Sequence, residues 1–307
     1  MKDDKNLKLA IRIDDPPLPL DSKFHGPEKI RDEKFGLDEF DNMTKISEKY
    51  GIKLSIAIPM GWLAYFDNLI DLYKQNSDQG LFEISCHGWY HEIFAGETSV
   101  FNKPTTYGSP EQKEKKDTTQ SIMWKGLTLE QCDTTLHKCQ EFAEKVFGKK
   151  CKTFVPPGRE AGTSDPSFND ILTKNDFQYI SAQTTRDPLC ETFRRTENVR
   201  EIPVTLWVDP WPRKEMGTQR FVKHTETTYS DYVLATKLHI DTRFKLGLYV
   251  NLLSHCHGFR NVPMDNKKFK IEKNINGKFI DEILSWTVKK YPEVEFVGME
   301  DLVPNEL

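Results

Sequence analysis

The sequence has no apolar run approaching the ~20 residues that a membrane-spanning helix needs, so no membrane insertion is expected. It also lacks an excess of positive charge. Lys and Arg number 43 against 47 Asp and Glu, a formal net charge of -4. Proteins that track phosphates need clustered positive charge, so nucleic acid is not an expected partner. The short basic pairs Lys149-Lys150 and Lys267-Lys268 fit a solvated surface. The six cysteines form no CxxC pair and no dense spacing, so neither a cysteine zinc site nor a disulfide framework is indicated. Cys132 and Cys139, seven apart in a helical pattern, read as small packing residues. No Gly-rich GxGxxG or GxxxxGK(S/T) turn follows any strand, which weighs against a nucleotide site. No apolar stretch follows the charged start Met1-Lys2-Asp3-Asp4-Lys5, so no cleaved secretion signal is expected. Together these absences suit a reducing cytoplasm.

What is present is a regular alternation of strand and helix patterns. Strands are predicted at Leu7–Ile13, Ile52–Pro59, Leu81–Cys86, Thr153–Val155, Phe177–Ser181, Glu201–Val208, Leu246–Leu253 and Glu295–Val297. Helices are predicted at Leu37–Tyr50, Ala64–Gln75, Thr128–Phe147, Ser167–Asn175, Ser230–Phe244 and Ile275–Lys290. Gly51 and Gly148 supply C-terminal stops, and Thr128 with Gln131 has the spacing of a capping box. Such alternation implies a mainly parallel sheet covered by helices. With seven or eight strands, an α/β barrel is expected rather than an open sheet. Residues 1–307 read as a single domain, since no repeat or clean linker interrupts them. Only the polar segment 94–126 breaks the rhythm, as a long inserted loop of the kind that is either a functional lid or a disordered segment.

The chemistry-bearing residues fall at strand ends. Asp14-Asp15 precede Pro16-Pro17, His87-Gly88-Trp89-Tyr90-His91 follow the third strand, and Val155-Pro156-Pro157-Gly158 follow the fourth. Ser254-His255-Cys256-His257 close the Leu246 strand. In parallel barrels these carboxyl ends share one face. Four of the eight histidines and a carboxylate pair therefore converge on one rim. His87 and His91, at i and i+4, would face one way on a helical turn. Two imidazoles and one carboxylate with an open position describe a catalytic metal site. One aspartate of the pair would bind the ion, and the other would take a proton from water there. Neighbouring strand residues point to opposite faces, so the Pro16-Pro17 break is needed to bring both to the rim. Of His255 and His257, one could protonate a leaving amine. Trp62, Trp89, Tyr90, Trp207 and Trp211 lie near the same ends, where aromatic faces suit a sugar ring as well as they suit packing.

In this order (Asp-Asp, then HxxxH, then Phe154-Val155-Pro156-Pro157-Gly158, then Leu253-Ser254-His255) the chain resembles the NodB-homology polysaccharide deacetylases, carbohydrate esterase family four. The resemblance spans roughly Leu7 to His257 and marks a divergent member. It implies a distorted (β/α)7–8 barrel and one divalent metal ion, zinc in the first instance. The implied activity is hydrolysis of an acyl group, usually acetyl, from an N-acylated sugar or sugar conjugate. By the same resemblance Asp14 is the general base, Asp15, His87 and His91 are the metal ligands, and His255 is the catalytic acid. Pro156, Pro157 and Gly158 would lie by the oxyanion, while Trp89 and His257 would border the substrate. The chain departs from the family at Val155, where an Arg usually orients the base; Arg159 and Arg12 are the candidates to replace it. The motif that holds the acid histidine is matched only loosely, by Trp207-Val208-Asp209-Pro210-Trp211, with Asp209 as its orienting residue. A metal hydrolase of a non-sugar amide on the same barrel, or a non-catalytic glycan binder, are the alternatives.

Overall fold

The computed structural model describes residues 7–15, 33–64, 66–90, 127–157, 166–183, 189–208, 229–255 and 276–304. The segment 94–126, together with His91, Gly158, Arg159, Asp209, Trp211 and His257, lies outside them.

Strands β1 (Lys8–Asp14), β2 (Leu54–Ile58), β3 (Phe82–Cys86), β4 (Thr153–Phe154) and β5 (Tyr179–Ile180) form one parallel run in the order β5-β4-β3-β2-β1. β9 (Val250–His255) pairs with the other edge of β1 and carries β8 (Leu206–Trp207), both in parallel. β7 (Arg200–Glu201) is parallel to β5, and β6 (Phe193–Arg194) is antiparallel to β7. β10 (Glu295–Phe296) pairs with the first residues of β1. Helices α1 (Glu33–Tyr50), α2 (Met60–Leu63), α3 (Asp67–Asp78), α4 (Leu129–Phe147), α5 (Pro166–Lys174), α6 (Tyr229–Lys245) and α7 (Asn276–Lys290) connect or follow the strands. No helix among the described residues is long and apolar enough to cross a membrane.

The predicted strand Glu201–Val208 is one run of chain with two allegiances. Ile202 N–H, just past β7, still donates to Ile180 of β5, whereas Thr205 N–H donates to Asn251 of β9. Pro203 lies between them and has no N–H to give either ladder. A few residues therefore bridge the two ends of the sheet, which curls it into the expected distorted barrel. β6 was not anticipated, because two exposed residues carry no periodic signal. The helix predicted at Ala64–Gln75 is displaced to Asp67–Asp78, since Ala64 closes the short helix α2. The strand predicted from Leu246 begins at Val250, because Leu246 and Gly247 (φ 70) still belong to the helix stop of α6.

Strand alternation sorts the side chains. Leu9, Ile11 and Ile13 of β1 join the main core under the helices, while Ala10 joins a smaller cluster inside the curl with Ala57 and Val155. Cys132 and Cys139 are buried packing residues of α4, as expected. That helix has its capping box between Thr128 and Gln131 and stops at Gly148 in the left-handed region. The amino ends of the strands are closed by the turn at Glu300–Leu302. Met299 and Leu302 enter the inner cluster, Met299 N–H donates to Ser55 Oγ, and Glu300 N–H donates to the Glu83 carboxylate. One end of the barrel is thus plugged, and the carboxyl ends remain for chemistry.

Candidate active site

β1 delivers two adjacent aspartates to the rim. Asp14 pairs in register with His255 of β9 on one side and Ala57 of β2 on the other. Asp15 has φ 50, in the left-handed region, where Asp is among the few residues tolerated. The turn there removes the parity problem that a regular strand would impose. Asp15 Oδ1 lies 3.7 Å from His87 Nε2, and its Oδ2 lies 4.0 Å from His255 Nε2. The fields of both histidines also reach Asp14. Asp14, Asp15, His87 and His255 therefore converge, as the strand-end argument predicts.

His87 directly follows β3 and is buried. Its Nδ1 lies 2.7 Å from the carbonyl oxygen of Val155. A carbonyl only accepts, so Nδ1 carries the proton and the neutral ring has its lone pair on Nε2, toward Asp15. Ligand bonds of about 2.0–2.2 Å limit two donors on one zinc ion to a separation of about 4.3 Å, and 3.7 Å falls inside that limit. The donor types and the tautomer thus fit a divalent ion. Among the described residues no group of three His, Cys, Asp or Glu side chains gathers as a ligand set. His91, the third predicted ligand, lies outside them.

The helical turn expected for His87–His91 is not formed at its start. Gly88 has φ 80, and Trp89 and Tyr90 follow in a bend. The carbonyls of Gly88 and Trp89 instead accept from Met60 N–H and Gly61 N–H at the start of α2. Those are amides that a helix leaves without internal partners. Sequence spacing gave no sign of this dock. It works because residue 61 is glycine: a Cβ there would run into the Trp89 indole. Trp89 also meets Phe142 of α4 edge-on and lies under the Lys138 ammonium, 3.9 Å from the ring centre.

The Arg12 guanidinium grips Asp14 from the same face of β1. Nε lies 2.6 Å from Oδ1 and Nη2 lies 2.5 Å from Oδ2, while Nη1 reaches Ser181 O at 2.6 Å and Ser181 Oγ at 2.9 Å. Burial alone would raise the Asp14 pKa. Arg12 outweighs it and holds the carboxyl below the usual range. Of the two arginines considered for the role left open at Val155, Arg12 contacts Asp14, and Arg159 lies outside the described residues. Ser181, which sequence reasoning passed over, sits at the end of β5 as the other site residues sit at theirs.

His255 is partly exposed, and its ring stacks on Trp207 with centroids 5.2 Å apart and planes at 29°. Trp207 belongs to the loosely matched motif, whose Asp209 lies outside the described residues. In the proline motif, Val155 N–H donates to Cys86 O, and Pro156 and Pro157 have no N–H. Gly158, the last residue of the motif, lies outside the described residues.

No protein-family model matches the chain, and no curated protein sequence matches it. Solved structures do. A Mycobacterium smegmatis protein provisionally assigned as a polysaccharide deacetylase matches with TM-score 0.63 and 14% identity, over 98% of this chain and 90% of that one. A Pseudomonas aeruginosa PAO1 protein with the same provisional assignment matches with TM-score 0.59 and 11% identity, over 96% and 89%. The Puue allantoinase matches with TM-score 0.59 and 12% identity, over 98% and 90%. These likenesses establish the fold: the distorted barrel implied by the sequence motifs is the one found.

Proposed function

We propose that this chain is a metal-dependent hydrolase that removes an acyl group, N-acetyl first, from a sugar or sugar conjugate. The observation that carries the reading is the meeting of two aspartates and two histidines from β1, β3 and β9 at one strand-end rim. Asp15 and His87 would hold one divalent ion, zinc in the first instance, with His91 as the third ligand. Such an ion polarises the acyl carbonyl and favours ionisation of the attacking water.

The chain's own groups do the rest. Asp14, kept ionised by Arg12, accepts the proton of the attacking water at a carboxylate oxygen. The C–N bond then breaks as His255 Nε2 gives a proton to the departing nitrogen. Trp207 holds that imidazole flat, so its reach to the nitrogen is set by stacking rather than by a flexible side chain. By the resemblance, Gly158 N–H would steady the oxyanion, a contribution of about 2.7–4 kcal/mol for one such donor. Trp89 and His257, by the same resemblance, would border the substrate, and Asp209 would orient His255.

A second reading keeps the machinery and changes the substrate to a non-sugar amide. It is favoured by the allantoinase among the structural matches. A panel answers both: zinc-loaded protein is offered N-acetylated glucosamine oligomers and linear and cyclic ureides, with released acetate and ureide loss measured. Turnover of the sugars alone supports the first reading, and turnover of the ureides alone supports the second. Turnover of neither, by protein shown to hold metal, removes both.

A further inference from the structure

Two adjacent carboxylates face one rim, and their chemistry alone does not say which should bind an ion. Their surroundings do. Both Asp14 oxygens are taken by a fork-to-fork pair with Arg12, the strongest geometry a carboxylate and a guanidinium can make. Arg12 is buried at 5% exposure and is fixed from its far side by two contacts to Ser181. Ser181 Oγ in turn donates to Ile202 O at 2.6 Å. The cation therefore spans the inside of the barrel from β1 to the end of β5, and moving it breaks bonds at both ends. Asp15, one residue on, turns to His87 and His255 instead.

We propose that Arg12, anchored by Ser181, decides which aspartate of the pair is the metal ligand. By occupying both oxygens of Asp14 it withholds that carboxylate from the ion and leaves the ligand position to Asp15. The division matters chemically. A second carboxylate on the ion would neutralise more of its charge, weaken its pull on the acyl oxygen and remove the base. Arg12 is a positioning residue, acting through Asp14. The inference rests on the metal-hydrolase reading.

The test is calorimetric titration of the metal-stripped full-length chain with Co2+ or Zn2+. Asp15→Asn is expected to weaken binding by at least on the order of 10–100-fold. Adding Arg12→Gln to it is expected to recover most of that loss, because the released Asp14 takes the empty place. A third change, Asp14→Asn, is expected to abolish the recovery. A purely structural Arg12 gives the opposite pattern, since a second lesion then binds no better than Asp15→Asn alone. That result, with wild type binding normally, overturns the proposal and leaves the metal reading standing. A wild type that binds no divalent ion overturns both. If the Arg12→Gln chains lose their folded circular dichroism, Arg12→Lys is used in their place. It keeps the buried cation but frees one Asp14 oxygen, and partial recovery is then expected where no recovery overturns the proposal.

Discussion

The Nδ1 of His87 donates a hydrogen bond to the carbonyl oxygen of Val155, 2.7 Å away. The position where the resembling family carries an arginine thus contributes here through its backbone. Val155→Ala leaves that carbonyl in place. It should cost roughly 2 kcal/mol of stability for the buried methyl groups removed, and bind metal like wild type. Thermal melts beside metal titration check this. Loss of metal on Val155→Ala would show that the Val155 side chain, and not its carbonyl alone, supports the site.

Asp14→Asn keeps the shape of the base and removes its proton affinity. Metal content should be unchanged, and kcat on the best substrate should fall roughly 10²–10⁴-fold. Elemental analysis with steady-state kinetics on one preparation tests both halves. Full turnover by a metal-loaded Asp14→Asn chain would take the base role away from this residue.

Gly61→Ala places a methyl group against the Trp89 indole, two residues after His87. The indole is held from other sides by Phe142 and Lys138, so it has little room to yield. The variant should lose about 1–3 kcal/mol of stability to overpacking, shift the tryptophan fluorescence and bind metal more weakly. Unchanged emission and unchanged melting would mean the histidine loop is not braced by α2.

At the plugged end, burial first and the nearby Glu300 carboxylate second push the Glu83 pKa up to about 8. The folded chain then holds a proton on Glu83 that the unfolded chain releases near pH 4.5. A group of this kind supports the fold fully below its unfolded pKa, and the support fades as pH rises toward the folded one. Stability should therefore decline from about pH 5 to pH 8 through this group, and Glu83→Gln should remove that part of the decline. Denaturant melts of both chains across this range are the check. Parallel pH curves would show that Glu83 titrates normally.

Much of this was legible because it is local. The LAIRI run before Asp14, the Thr128–Gln131 cap and the stop at Gly148 are set by neighbours in sequence, and the strand-end rule brought Asp14, Asp15, His87 and His255 together. What was missed depends on distance or on φ. Arg12 meets Ser181 across 169 residues, and no spacing rule encodes that contact. The i, i+4 reading of His87 and His91 assumed a helix that Gly88, at φ 80, does not begin. The chain from Glu201 to Val208 has the alternation of one strand, yet it changes partners around Pro203, which only the closure of the barrel requires.

The most direct test of the account is the metal content of the purified chain, wild type beside His87→Ala/His91→Ala. The account predicts about one divalent ion per wild-type chain and none in the double variant, with the fold intact by circular dichroism. A wild type that stays metal-free after incubation with zinc, or a double variant that keeps its ion, would contradict it.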